Sequence, residues 1–108
     1  MNRVVHFEIA SDNPDQAAEF YKSVFNWKIE KWEGPIDYWL VMTGEQDVPG
    51  IDGGMFKRTD EFTGTFNTIG VDSIDDYLEK VKQAGGTIVQ EKNAIPGVGY
   101  QAYCKDPD

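Results

Sequence analysis

The chain has 108 residues, with 10 Lys and Arg against 19 Asp and Glu, so its formal net charge is −9 at pH 7. A chain of this length forms one domain that buries roughly 65% of its unfolded surface, and 40% hydrophobic residues supply the core. The acidic balance argues against nucleic acid and anionic membranes as partners, because both are bound through Lys and Arg that neutralise phosphates. It favours partners that carry positive charge.

Cys104 is the only cysteine, so no disulfide forms within the chain. A single thiol is typical of a reducing compartment, and we expect a cytoplasmic protein in which Cys104 packs as a small apolar side chain of a strand. The sequence shows no apolar run of the length that a membrane span requires, and residues 1–6 do not lead into a signal-peptide core.

A strand and a helix open the predicted structure. Residues 4–10 mix β-branched and aromatic side chains, as strands do. Asn13 is placed to cap the following helix and Pro14 suits its first turn, and the helix is expected to end near residue 25. Apolar side chains recur there at helical spacing, which predicts one buried stripe made of Ala17, Phe20, Tyr21 and Val24.

The rest of the chain predicts six more strands and a second helix. Strands are expected at 27–32, 38–43 and 51–57, and Gly53-Gly54 in the last of them indicates a bulge or a close backbone approach. The pattern then restarts with a strand at 65–71 and a helix that Ser73 caps and Gly85-Gly86 ends. Strands at 87–90 and 100–104 complete the prediction.

An internal repeat appears at an offset of 60 residues and relates the two halves of this pattern. Each half reads as a strand, a capped helix and further strands, so a duplicated unit explains both the order of the elements and the residue matches. The matching pairs are Ile9 with Ile69, Asp12 with Asp72, Asp15 with Asp75, Glu19 with Glu79, Lys22 with Lys82, and Ile29 with Val89.

Each half of the chain carries a set of short motifs. The first half has VHFEI at 5–9, DNP at 12–14, EFY at 19–21 and VFNW at 24–27. The second half has NTIGVD at 67–72, AGG at 84–86 and KDPD at 105–108. These motifs resemble those of the vicinal oxygen chelate superfamily, which includes glyoxalases, bleomycin-resistance proteins and extradiol dioxygenases. The resemblance covers nearly the whole chain and is specific for the fold, while the superfamily spreads many chemistries over one scaffold.

The resemblance implies an α+β fold of two repeated βαβββ modules, with a curled mixed sheet around a concave pocket. A single domain over 1–108 would then comprise module one at 3–58 and module two at 63–108, the latter without its last strand. We expect a homodimer, because superfamily members commonly dimerise. We also expect a partner chain or a swapped strand to cover the edge of the strand at 100–104.

Alternation along the first strand separates two sets of side chains. Phe7 and Ile9 share one face, which we expect to turn toward the helix, so that His6 and Glu8 face the pocket. Aromatic side chains on the other strands are expected to stack on planar or cationic ligands there. The predicted ligand-binding residues are His6, Glu8, Trp39, Phe66, Thr68, Tyr100 and Tyr103.

The resemblance further implies a divalent metal held by four side chains, one from the first and one from the last strand of each module. His6 lies where the first such ligand is found, but its repeat partner is Phe66, and the strand at 51–57 offers Gly, Met, Phe and Lys where a ligand is expected. A catalytic metal needs three or more donors. We therefore expect no cofactor to be required; His6 as a metal ligand remains the alternative to His6 as a hydrogen-bonded strand residue.

Three functions fit these residues. The first is a small-molecule binding protein of the bleomycin-resistance type, which sequesters a cationic or aromatic ligand without metal. The second is a metal-dependent glyoxalase-like lyase or isomerase, or a dioxygenase, in which Glu8 moves a proton as the catalytic residue. The third is a protein-interaction module whose pocket is vestigial.

Overall fold

The computed structural model describes residues 2–108, which form seven strands and two helices. In chain order these are β1 (Val4–Ser11), α1 (Pro14–Phe25), β2 (Lys28–Lys31), β3 (Trp39–Met42), β4 (Gly53–Lys57), β5 (Thr65–Ile69), α2 (Ile74–Gln83), β6 (Thr87–Ile95) and β7 (Gly99–Lys105). The order agrees with the predicted repeat, and the fold is of the predicted α+β class. By their packing the described residues divide into two units, Asn2–Gly70 and Val71–Asp108.

The first unit contains a curled, unclosed mixed sheet in the order β2-β3-β4-β1-β5. β1 is central: it pairs in parallel with β4 and antiparallel with β5, while β2, β3 and β4 are antiparallel to one another. This arrangement allows the first strand of the second repeat to lie beside the first strand of the first repeat.

The core of this unit lies between α1 and one face of the sheet. Its buried apolar side chains are Ala18, Ile29, Val41 and Met55, and Phe7, Ile9, Tyr21, Trp27 and Trp39 pack around them. Tyr21 and Trp27 stack with their ring centroids 4.9 Å apart. The predicted position of Phe7 and Ile9 on the helix side of β1 is therefore confirmed.

α1 begins and ends as the sequence predicts, but the predicted buried stripe is partly wrong. The Asn13 side chain accepts a hydrogen bond from the Gln16 amide, and Asn26 ends the helix in the left-handed conformation. Phe20 and Val24, however, are 56% and 55% exposed. The apolar arc of α1 is wider than the strip that the sheet covers, so the side chains at its flank stay in solvent.

The second unit is α2 together with a two-stranded sheet of β6 and β7. The Ser73 hydroxyl accepts from the Asp76 amide at the start of α2. Gly85 has a positive φ of 91°, and the Gly86 amide donates to the Val81 carbonyl, so the helix ends in a Schellman motif as the glycine pair predicts. No residue of this unit is fully buried.

Several strand predictions are corrected in length and one in packing. β5 ends at Ile69 rather than at residue 71, and β6 continues past residue 90 to Ile95, because residues 93–95 pair with β7. β4 begins at Gly53 rather than at residue 51. Cys104 is exposed on β7 and does not pack as a core side chain. Within residues 2–108, neither helix is long and apolar enough to cross a membrane.

Candidate functional site

The candidate site lies on the face of the first unit's sheet that points away from α1. Side chains alternate along β1, so the packing of Phe7 and Ile9 against the core directs His6 and Glu8 to the other face. Glu8 is only 5% exposed and is the one buried charged side chain among the described residues. Its burial gives this face a carboxylate that solvent screens little.

A hydroxyl group joins His6 and Glu8. The Tyr38 hydroxyl donates to Glu8 Oε2 over 2.7 Å, and His6 Nε2 lies 3.0 Å from the same Tyr38 oxygen. A phenol has one proton, and here that proton is directed at the carboxylate, so His6 Nε2–H is the donor of the second bond. The three side chains form a hydrogen-bonded chain that runs from imidazole through phenol to carboxylate.

Gly54 makes this arrangement possible. It pairs with Glu8 of β1 on one side and with Leu40 of β3 on the other, and a Cβ at this position would overlap the Tyr38 hydroxyl. β4 keeps a regular register with β1, so the predicted bulge is absent, and the group that approaches Gly54 is the Tyr38 side chain and not backbone. Tyr38 therefore lies across a part of the sheet where no side chain opposes it.

Three phenylalanine rings lie beside this hydrogen-bonded chain. Phe66 is the antiparallel partner of Glu8, and Phe56 is the parallel partner of Ala10, so both rings share the face of Glu8. Phe56 and Phe66 stack at 6.0 Å, and Phe62 meets each of them edge to face at 6.2 and 5.7 Å. We call Phe56, Phe62 and Phe66 the aromatic trio; all three are half-buried.

The structure brings some of the predicted ligand-binding residues together and separates others. Thr68 is the antiparallel partner of His6, so it joins His6, Glu8 and Phe66 on one face. Trp39 pairs with the core residue Met55 and lies on the opposite face of the sheet. Tyr100 and Tyr103 belong to the second unit; Tyr100 is 67% exposed and lies under the Lys92 ammonium, and Tyr103 pairs with Gln90.

A model of the glyoxalase/bleomycin resistance protein/dioxygenase superfamily matches residues 3–108 of the sequence. The chain belongs to this superfamily. A search of curated protein sequences finds no match.

The chain is similar to the solved structure of a Streptomyces coelicolor methylmalonyl-CoA epimerase variant in complex with 2-nitronate-propionyl-CoA. The TM-score is 0.59 at 13% identity, over 95% of this chain and 88% of the epimerase chain. TioX from Micromonospora sp. ML1 is 22% identical over 96% of this chain and 89% of its own, with a TM-score of 0.39. The likeness to the epimerase supports the fold.

Superfamily members often use a divalent metal, and a catalytic metal needs at least three protein donors. Among residues 2–108, no three side chains of His, Cys, Asp and Glu gather as a metal-binding group. His6 and Glu8 supply two donors, and both are already hydrogen-bonded to Tyr38. The described residues therefore do not supply the three donors that hold a catalytic metal.

Tyr38, Phe56 and Phe62 are not among the ligand-binding residues that the sequence predicts. The glycine pair was the local signal of an unusual β4, but the sequence favoured a bulge or a backbone approach over a side chain. Tyr38 can be identified as the approaching group only when the register of β3 and β4 is known. In that register Leu40 pairs with Gly54, 14 positions further along the chain.

Proposed function

We propose that this protein binds a small organic ligand with a planar aromatic or cationic group, without a metal, at the His6, Glu8 and aromatic-trio face of the sheet. The observation that carries the proposal is the buried Glu8 carboxylate directly beside Phe66 and its stacked neighbour Phe56. A carboxylate with aromatic faces next to it is the combination that recognises an aromatic cation.

The aromatic trio and Glu8 contribute to ligand affinity in different ways. The trio offers ring faces and edges for offset stacking, which is worth about 0.5–1.5 kcal/mol per ring pair beyond burial. Glu8 contributes a charge whose attraction for a cation is stronger than that of a surface acid, because burial lowers the local dielectric. The net charge of −9 adds a long-range attraction that raises the rate of encounter.

An enzyme is the second candidate, and the hydrogen-bonded chain is the observation that favours it. Imidazole, phenol and carboxylate are among the side-chain groups that enzymes use for general acid–base catalysis, and this chain of hydrogen bonds holds one of each. Glu8 would be the catalytic base in such a glyoxalase-like lyase, isomerase or dioxygenase. A protein-interaction module with a vestigial pocket is the outcome that remains if neither binding nor turnover is found.

Calorimetric titration tests the proposed function with two probes, a bleomycin-type glycopeptide and the planar cation proflavine. We expect binding of at least one probe, and Glu8→Gln should weaken it about tenfold, equivalent to about 1.4 kcal/mol, because the amide keeps the shape and removes the charge. Recovery of the probe unchanged after binding separates sequestration from turnover.

Glu19→Gln is the matched control for this titration. It removes the same charge from an exposed position on α1, so the net charge changes equally while the candidate site does not. If both variants weaken binding to the same degree, only the overall charge is involved and the site assignment is wrong. Absence of heat with both probes would contradict the proposed ligand class.

A further inference from the structure

The Tyr38 hydroxyl lies where a metal shared by His6 and Glu8 would have to bind. Its oxygen is 3.0 Å from His6 Nε2 and 2.7 Å from Glu8 Oε2. A metal needs shorter contacts, about 2.0–2.2 Å to imidazole nitrogen and carboxylate oxygen. Imidazole Nε2 has one in-plane direction for either a proton or a metal, and the hydrogen bond to Tyr38 uses it.

The same position that lacks a ligand on β4 provides the room for the phenol. Superfamily resemblance places a metal ligand on this strand, and the residue there beside Glu8 is Gly54. A side chain at Gly54 would overlap the Tyr38 hydroxyl, so the glycine and the tyrosine depend on each other. The residue that offers no donor on β4 is thus also the residue that leaves room for the Tyr38 hydroxyl.

We propose that Tyr38 is a positioning residue that holds His6 in its Nε2–H tautomer and closes the His6–Glu8 pair to divalent metal. The pair then presents fixed hydrogen-bonding groups to an organic ligand. This inference rests on the proposed function, because it explains why the ligand would be bound without a metal. Its test uses no organic ligand, so the two fail independently.

His6 is the only histidine of the chain, which makes its ring a unique spectroscopic probe. The experiment records long-range ¹H–¹⁵N correlations of the imidazole in the ¹⁵N-labelled full chain at mildly alkaline pH, where an ordinary imidazole is neutral. We expect a single Nε2–H tautomer in the parent protein. Addition of one equivalent of Zn²⁺ should leave the ring signals unchanged, even if the acidic surface binds the ion elsewhere.

Tyr38→Ala removes the phenol and should let Zn²⁺ shift the His6 ring signals, with an affinity at least about tenfold above that of the parent. His6→Gln added to Tyr38→Ala should abolish this gain, which locates the ion. Tyr38→Phe keeps the ring and carries the test if the alanine variant does not fold. In Tyr38→Phe the His6 ring should populate both neutral tautomers, because only the acceptor oxygen is lost.

Two results would overturn the inference. One is a parent protein whose His6 ring signals respond to one equivalent of Zn²⁺ as strongly as those of Tyr38→Ala. The other is a Tyr38→Phe variant that keeps the single Nε2–H tautomer. Ligand binding could persist in either case, so the proposed function is judged separately by the calorimetric titration.

Discussion

At position 54 the absence of a side chain decides how Tyr38 is placed. Gly54 is buried in β4, and a Cβ there meets the Tyr38 hydroxyl and ring. Gly54→Ala should therefore push the phenol away from Glu8 and destabilise the fold by about 1–3 kcal/mol, the usual range for overpacking a well-packed site. Urea unfolding measures the change in free energy, and the His6 ring signals report whether the hydrogen bond to Tyr38 is lost.

Gly44→Ala is the comparison for this variant. Nothing lies within 4 Å of a Cβ at Gly44, so the same chemical change meets open space. We expect its free energy of unfolding to lie within about 0.5 kcal/mol of that of the parent, as for surface positions generally. Equal destabilisation of the two variants would show that contact with Tyr38 is not the cause.

Tyr38 and Gly54 show how far the candidate site could be predicted from sequence. Alternation along β1 depends only on neighbouring residues, and it correctly separated His6 and Glu8 from Phe7. Tyr38 and Trp39 are adjacent, so alternation alone does not say which of them faces the site. That choice is made by the pairing of Trp39 with Met55 and of Leu40 with Gly54, which is not local information.

At the scale of the element, α1 carries two adjacent aromatic residues with different environments. Tyr21 is half-buried, packs against the core and stacks on Trp27, whereas Phe20 is mostly exposed beside it. Tyr21→Ala should cost about 2–3 kcal/mol of unfolding free energy, just below the range for fully buried aromatic residues. Phe20→Ala, the control on the same helix, should cost less than about 1 kcal/mol. Urea unfolding of both variants would contradict the assigned helix orientation if the order were reversed.

Helix ends were predicted well because their signals are local. The Asn13 and Ser73 side chains each accept from an amide three residues on, and the Gly85 and Gly86 amides donate to carbonyls three and five residues back. The buried face of α1 was predicted less well. Both flanks of the helix are apolar, and only the width of the covering sheet determines that Ala18 is buried while Phe20 is not.

At the scale of the whole molecule, the second unit has the least buried surface and, among the described residues, an unpaired strand edge. Its sheet has two strands, its helix has no buried residue, and among residues 2–108 β7 pairs with β6 alone. A two-stranded sheet under one helix is marginal in water, and an open strand edge is a template for another strand. We infer that a second copy of this chain covers the outer edge of β7, in line with the homodimers common in the superfamily.

This inference predicts a dimer by light scattering coupled to size-exclusion chromatography. It also predicts that amide hydrogen exchange in β7 speeds up on dilution, because dissociation returns the strand edge to water. Amides of β3 are the internal reference, since that strand is paired on both sides within one chain and should exchange at the same rate at every concentration. A monomer whose β7 amides exchange rapidly and independently of concentration would show that no second copy covers this edge.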